Sequence, residues 1–535
     1  DPLLISVVMP VYNTPEDLLR EAIESVCAQI YGRWELCIAD DYSTERHVRR
    51  ILEEYSRDDP RIKVVYRDEN GHISRATNSA FELASGSWVA LLDHDDLLRP
   101  HSLAEVVLEI ASHPDAELIY SDEDKIDAEG RRYDPYFKPE FSRELFRSQN
   151  YLNHLTVHRA ENIRAVGGWR PSFEGSQDYD LNLRILERIE MAKIRHIAKV
   201  LYHWRAVEGS TASAGDEKSY AYMAGLRALK EHVSRCRLPA CAEPAPGTQC
   251  YRLRFSEPES QPLVSLIIPT RDKVELVRAC VESIRNKTTY RNYEIIVVNN
   301  GSVEGETIRY LHEIDQSDGI HVLPYTDSFN YSAINNFAVA HANGTIIGLI
   351  NNDIEVISPD WLSEMVSWAV QPDVGCVGAK LYYADGSIQH AGVILGLNGV
   401  AGHSHRAFPR DHHGYFFRLK VIQNLSAVTA ACMIVRKNVY EAVGGFNETD
   451  LPVAFNDVDF CLRVRETGYL NVWTPYAELY HLESTSRGAE DNPEKQARAV
   501  REIMYMQEKW ERPLQNDPYY SPHLTKHAEN FSLAI

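Results

Sequence analysis

A chain of 535 residues, 44% hydrophobic and 25% charged, is long enough for two or three domains with their own cores, and its composition excludes a disordered or fibrous protein. Its formal net charge of −21 argues against nonspecific nucleic-acid binding, which needs a basic face to displace counterions from phosphates. Nine cysteines show no CxxC pair and no zinc spacing, and Cys27, Cys37, Cys280, Cys376, Cys432 and Cys461 sit among apolar residues, as small core side chains do in a reducing compartment. No apolar run reaches the roughly 18 residues of a spanning helix. The chain reads as cytoplasmic. It begins at Asp1 without a methionine, which leaves open a membrane anchor ahead of it.

The first strand runs from Leu3 to Met9 and is stopped by Pro10; a helix follows from Pro15 to about Gln29, with Thr14 as its cap. The apolar run Trp34 to Ala39 ends in Asp40 and Asp41. A helix from about Glu45 to Arg57, a strand at Ile62 to Tyr66 and a helix through Ala76 to Ala84 come next. Then Trp88 Val89 Ala90 Leu91 Leu92 breaks abruptly into Asp93 His94 Asp95 Asp96. Strand and helix in strict alternation are the signature of a parallel sheet with crossover helices, and ligands sit at the carboxyl ends of such strands. The pattern loosens after Asp96. Leu118 to Tyr120 leads into Ser121 Asp122 Glu123 Asp124, and Gly167 Gly168 Trp169 precedes Gln177 Asp178 Tyr179 Asp180. A helix spans Asp180 to Glu190, a strand Ile197 to Tyr202, then come His203 Trp204 Arg205 and a helix near Ser219 to Val233.

After a proline-rich stretch the order starts again. Ser6 to Pro10 returns as Ser265 to Pro269, Asp40 Asp41 as Asn299 Asn300, and Asp93 His94 Asp95 as Asn351 Asn352 Asp353, 258 positions on. Gly167 Gly168 Trp169 returns as Gly444 Gly445 Phe446, Asp178 as Asp457, Arg184 as Arg463 and His203 as His481. The slowly growing offset means duplication with about 20 residues inserted, an insertion expected to hold the His- and Gly-rich stretch Gly392 to Gly414; solenoid periods are far shorter. The expected organisation is a first domain at 1–237, a linker at 238–261, a second domain at 262–490 and a C-terminal helix and tail at 491–535 packing on domain two.

Asp93, Asp95 and Asp353 end strands and suit a hard divalent cation shared with a diphosphate, although acidic loops after strands are common. Asp178 and Asp457 each precede an amphipathic helix; they serve either as first-turn acids or as general bases in a cleft. His203 and His481 are candidate third ligands for Mn²⁺. Arg205 and Arg487 lie close behind, where they could grip a pyrophosphate or face solvent. Asp40, Asp41, Asn299 and Asn300 are turn residues or contacts to a nucleobase or ribose.

Taken together, Val8 Met9 Pro10 Val11 Tyr12 Asn13, Asp40 Asp41, Asp93 His94 Asp95, Gln177 Asp178 and His203 resemble the inverting family 2 glycosyltransferases of the GT-A fold, and both halves match. The resemblance implies an α/β protein with two tandem GT-A domains. Pro10, Tyr12, Asp40, Asp41 and Asp93 would bind the nucleotide sugar, Asp95 and His203 the metal, and Asp178 would be the catalytic base. In the second half Pro269, Thr270, Asn299, Asn300 and Asn351 would bind the donor, Asp353 and His481 the metal, and Asp457 would be the base. Asn299 and Asn351 depart from the pattern, since an amide brings no charge. The expected cofactor is a divalent cation, Mn²⁺ or Mg²⁺. The expected partners are a nucleotide-diphosphate sugar and an oligosaccharide or lipid-linked glycan acceptor, as in bacterial O-antigen or capsule assembly, with peripheral association at the inner membrane. One catalytic half beside an acceptor-binding half, or a non-enzymatic glycan-binding scaffold, are the alternatives.

Overall fold

The computed structural model describes residues 3–205, 215–482 and 492–534, the helix Gly215–Arg235 by its backbone at its first turn. Its contacts divide the chain into two compact units: 1–141, 149–238 and 242–244 form the first, and 142–148, 239–241 and 245–535 the second. Ser142–Ser148, expected in the first domain, thus groups with the second, where Asn424 Oδ1 accepts the Glu144 N–H at 3.0 Å. The proline-rich stretch is more regular than a linker. It holds the strands Ala240–Pro244 and Tyr251–Phe255, and Phe255 meets Trp368 edge to face at 4.8 Å.

The main sheet of the first unit has the order Ile62–Tyr66, Trp34–Asp40, Ile5–Val11, Trp88–Leu91, Thr156–Arg159, Leu118–Ile126, Ile194–Arg205, Leu97–Leu98. The second unit repeats it strand for strand: Ile320–Pro324, Tyr293–Asn299, Val264–Thr270, Ile346–Ile350, Cys432–Arg436, Val374–Tyr382, Leu470–His481, Ile354–Val356. The first four strands are parallel, as their continuous apolar runs require of strands covered on both faces. Beyond them the sheets are mixed. Thr156–Arg159 runs antiparallel to both Trp88–Leu91 and Leu118–Ile126, because the chain passes the sheet's edge before returning to its middle.

The duplication extends to side chains. Ser6 Oγ donates to Glu35 Oε1 at 2.6 Å and accepts the Gly86 N–H at 2.9 Å; Ser265 makes the same pair of bonds with Glu294 and Gly344 at 2.5 and 2.8 Å. The Gly-Gly pairs are explained similarly. Gly168 and Gly445 have φ of 71° and 67°, and a Cβ would lie 2.3 and 2.5 Å from the Oδ1 atoms of Asn78 and Asn336, which accept the N–H groups of Trp169 and Phe446.

Several elements depart from expectation. The first helix is Glu16–Cys27 with no side-chain cap, so Thr14 does not cap it. The third begins at His72. The Asp178 helix is Gln177–Leu186 and so includes Asp178 in its first turn. Ser121 to Asp124, which the sequence assigned to no element, lies inside the strand Leu118–Ile126, paired in parallel with Ile194–Arg205. The extra residues of the second unit lie between Val374–Tyr382 and Cys432–Arg436, whose first residues are 58 positions apart against 38 for their counterparts at 118 and 156. Finally, the helix Pro493–Lys509, capped by Asn492 as its sequence predicts, is the counterpart of Gly215–Arg235: each starts twelve positions after its unit's histidine, 203 or 481. Among the described residues no helix is long and apolar enough to cross a membrane.

Candidate active site

In each unit the central parallel strand next to the first one ends at a polar loop, and a short strand then turns the chain back along the last long strand. In the first unit Leu97 pairs with His203 and in the second Ile354 pairs with His481. This pairing brings residues more than 100 positions apart to one sheet end.

The first loop is braced from several sides. Buried Asp96 accepts from Tyr202 Oη at 2.6 Å and from the Arg205 N–H at 2.7 Å, and the Asp95 carbonyl accepts from Arg205 Nε at 2.9 Å. Arg205 also pairs with Glu21 and is buried, so it pins the loop instead of presenting its guanidinium to solvent or a pyrophosphate. Arg487 lies outside the described residues. His94 Nδ1 is 3.1 Å from the Pro10 carbonyl oxygen, and exposed Tyr12 follows that strand. The side-chain partner of His203 is Asp124, through Nδ1, and Asp124 is held in turn by Arg132 Nε at 2.6 Å. A carboxylate on Nδ1 fixes the orientation of the imidazole, as carboxylate partners do for metal-binding histidines. Asp93 Oδ2 lies 3.8 Å from His154 Nε2, and His154 Nδ1 lies 3.1 Å from Glu123. Burial opposes charge on both partners. The Glu123 hydrogen bond nevertheless raises His154 to about 9, and the Lys138 ammonium and His154 lower Glu123 to about 2. Asp93 thus faces a histidine whose proton affinity is raised by its Glu123 partner.

Asp178 stands in the first turn of its helix with Trp169 Nε1 donating to Oδ1 at 3.0 Å and Gln177 Nε2 to Oδ2 at 3.2 Å. Desolvation, and then the nearby negative charge of Asp93, push its carboxyl up to about 6. The late acid thus feels the charge of the strand-end loop, and its carboxyl is raised above the ordinary carboxylate range.

In the second unit the same positions surround a cavity of about 670 Å³. Pro269, Thr270 and Asn300 line one side, and Asn351, Asp353, His481 and Asp457 another. Asp353 Oδ1 lies 3.3 Å from His481 Nε2, while the Asn351 amide nitrogen lies 3.2 Å from that same Nε2 and its Oδ1 accepts from Tyr331 Oη at 3.0 Å. Asn352 Nδ2 donates to Thr270 Oγ1 at 3.1 Å. Asp457 Oδ2 accepts the Ala430 N–H at 3.0 Å; burial raises its carboxyl, against those donated bonds. The inserted segment supplies a wall through Gln389, Val393 and His403, whose Nδ1 is 2.7 Å from His390 Nδ1. Among the described residues no side chain equivalent to Asp124 reaches His481. The last strand pair before it is Tyr382 with Tyr480, so the next position is Tyr383, and His481 Nδ1 is buried without a hydrogen-bond partner among the described residues.

At the end of the second strand the acids split their roles. Asp40 and Asn299 accept the N–H of Ser43 and Ser302 three residues on, at 3.1 and 2.9 Å, which is the turn reading of those positions, and Asn299 does not line the cavity. Asp41 instead accepts from Arg67 Nε at 2.7 Å and the Gly71 N–H at 2.9 Å, and the Asn300 amide donates to the Asp327 carbonyl at 2.9 Å. Sequence reasoning passed over Asp124, Glu123 and His154. The acidic run at 121–124 was a visible signal for two of them; nothing local marks His154.

A family model described as Glycosyl transferase family 2 matches residues 6–164 and 265–444. The uncharacterized protein y4gI of Sinorhizobium fredii is 54% identical over 535 residues, covering 99% of this chain and 58% of that protein. The O-antigen biosynthesis protein RfbC of Myxococcus xanthus is 40% identical over 534 residues, 99% of this chain and 41% of that protein. The chain thus spans about half the length of these relatives. Among solved structures, the mannosyltransferase PcManGT from Pyrobaculum calidifontis in complex with GDP-Man and Mn²⁺ is 17% identical with a TM-score of 0.37, covering 57% of this chain and 77% of that one.

Proposed function

Because the chain belongs to glycosyl transferase family 2, we propose that each unit carries an inverting, nucleotide-sugar-dependent transfer site and that the two together extend a bacterial surface polysaccharide on an oligosaccharide or lipid-linked acceptor. The observation that carries this reading is the convergence of Asp457, Asp353, His481 and Asn300 on one cavity of about 670 Å³, within the size range of small-molecule sites. The kinship with an O-antigen biosynthesis protein supports the polysaccharide.

The reaction is a single displacement. An acceptor hydroxyl oxygen attacks the donor's anomeric carbon, the bond from that carbon to the diphosphate oxygen breaks on the opposite face, and the hydroxyl proton passes to Asp178 or Asp457. Configuration at the carbon inverts. The donor set fits a hard divalent cation: Asp95 with His203 in the first unit, Asp353 with His481 in the second, with the remaining ligands expected from the diphosphate. Such an ion supplies positive charge against the leaving group when bound. Work at the inner membrane face would be peripheral.

The test is to incubate the chain with UDP-, GDP- and dTDP-sugars and candidate glycan acceptors. Transfer or donor hydrolysis with inverted product is expected; no turnover of any donor, with or without Mn²⁺, would falsify the reading. The second reading, in which unit two only binds the acceptor, draws on the loss of charge at Asn351. It predicts that Asp457→Asn changes acceptor KM without removing a linkage.

A further inference from the structure

The two loops differ in charge, and so do the walls that face them. Asp93 corresponds to Asn351, so the second loop keeps a single carboxylate, Asp353, where the first has three. The atom of His481 nearest that carboxylate, Nε2, is also 3.2 Å from the Asn351 amide, and an imidazole lone pair that accepts an N–H is less available to a cation. Around the same cavity stand Arg271, Lys273, Lys495 and Arg498. Their counterparts in the first unit, by the offsets of the first strand and of the late helix, are Tyr12, Thr14, Glu217 and Tyr220. No cation occupies any of the four.

Lys495 and Arg498 come from the helix Pro493–Lys509, and their setting is ordered. Glu502, 1% exposed, receives Arg498 Nε on Oε2 at 3.4 Å while its Oε1 accepts the N–H groups of Val453 and Ala454 at 2.8 and 3.1 Å. That fixes the helix to the loop that leads into Asp457, and brings the basic side chains to the cavity beside Asp353. The opposite end of the helix is fixed too, where Trp510 Nε1 and Lys509 Nζ donate to Asp459 Oδ1 at 2.9 and 2.8 Å.

Resting on the transferase reading above, we infer that the second unit neutralises its donor's diphosphate with the fixed cations Lys495 and Arg498, assisted by Arg271 and Lys273, and so needs a divalent ion less than the first unit does. A lysine or arginine fork can meet phosphate oxygens directly. The lost loop carboxylate and the four gained cations outweigh the one acid gained at the rim, Asp272 in place of Asn13, and a less negative site leaves less for a metal ion to offset.

The test titrates the full chain with UDP, GDP and dTDP, in Mn²⁺ and in EDTA. The expected result is binding in EDTA of at least one of these at one site per chain, weakened about tenfold or more in Lys495→Ala/Arg498→Ala and restored in Lys495→Arg/Arg498→Lys. Mn²⁺-dependent binding to the other unit is unchanged in both. Lys495→Gln, at the partly exposed first turn of the helix, gives the same direction should the double variant melt early. Loss of all binding in EDTA, or EDTA-resistant binding indifferent to the double substitution, overturns the inference and leaves the transferase reading standing. Failure of all three diphosphates to bind even in Mn²⁺ overturns both.

Discussion

The two strand-end loops share a scaffold and differ in how they are staffed. In the first, His203 is held by Asp124 and Asp93 faces His154; in the second, His481 Nδ1 meets no such carboxylate among the described residues, Asn351 replaces Asp93, and basic side chains arrive from a helix. Strand order is the same in both sheets, so the difference lies in side chains and in the segment inserted between Val374–Tyr382 and Cys432–Arg436 of the second unit. Duplication fixed where chemistry can occur, and substitution at a handful of positions set how charge is balanced there.

The sharpest way to break the comparison is to remove the two proposed bases. Asp178→Asn and Asp457→Asn should each lower one transfer activity by about 10²- to 10⁴-fold and spare the other, read as product linkages from a defined acceptor. If either variant removes both linkages, the units do not act independently. Next comes the histidine clamp. Asp124→Asn should raise the Mn²⁺ requirement of the first unit about 10- to 100-fold, whereas Tyr383→Phe leaves that of the second unchanged; equal responses would show that the clamp does not tune the ion.

A smaller effect concerns pH. As the proposed base Asp178 would act as a carboxylate, and its carboxyl is raised to about 6. Measured in the Asp457→Asn background, kcat/KM should be flat above that value and fall about tenfold for each unit of pH below it. A profile still flat well below 6 would remove Asp178 from the role. The smallest effect tests likeness instead of difference. Ser6→Ala and Ser265→Ala each remove a buried bond to a glutamate and should cost the same, about 1 kcal/mol in urea unfolding; unequal costs would show that the matched geometry is not matched energy.

Much of the site was legible beforehand because duplication writes it twice. Asp353, His481 and Asp457 could be picked out from sequence as repeated acids and histidines behind apolar strands, and the structure places them around one cavity. Asp40 and Asn299 read equally as turn or ligand, and their bonds to Ser43 and Ser302 favour the turn. Arg205 read either as a pyrophosphate contact or as a surface residue, and is a buried brace. Nothing local marks the acids at 121–124 as strand, because strand propensity disfavours them; pairing with Ile194–Arg205 overrides that preference, and it is this pairing that sets Asp124 against His203.

The sequence by itself determined the duplication, the alternation of strand and helix, and the polar ends of the apolar strands, since periodicity and burial act over neighbouring residues. Only the tertiary structure decided which distant side chains meet. The antiparallel return of Thr156–Arg159, the alignment of Leu97 with His203, and the docking of the Pro493–Lys509 helix over the Asp457 loop all depend on contacts across about 50 to 100 residues. No local pattern encodes them, because each is selected by the packing of the whole sheet.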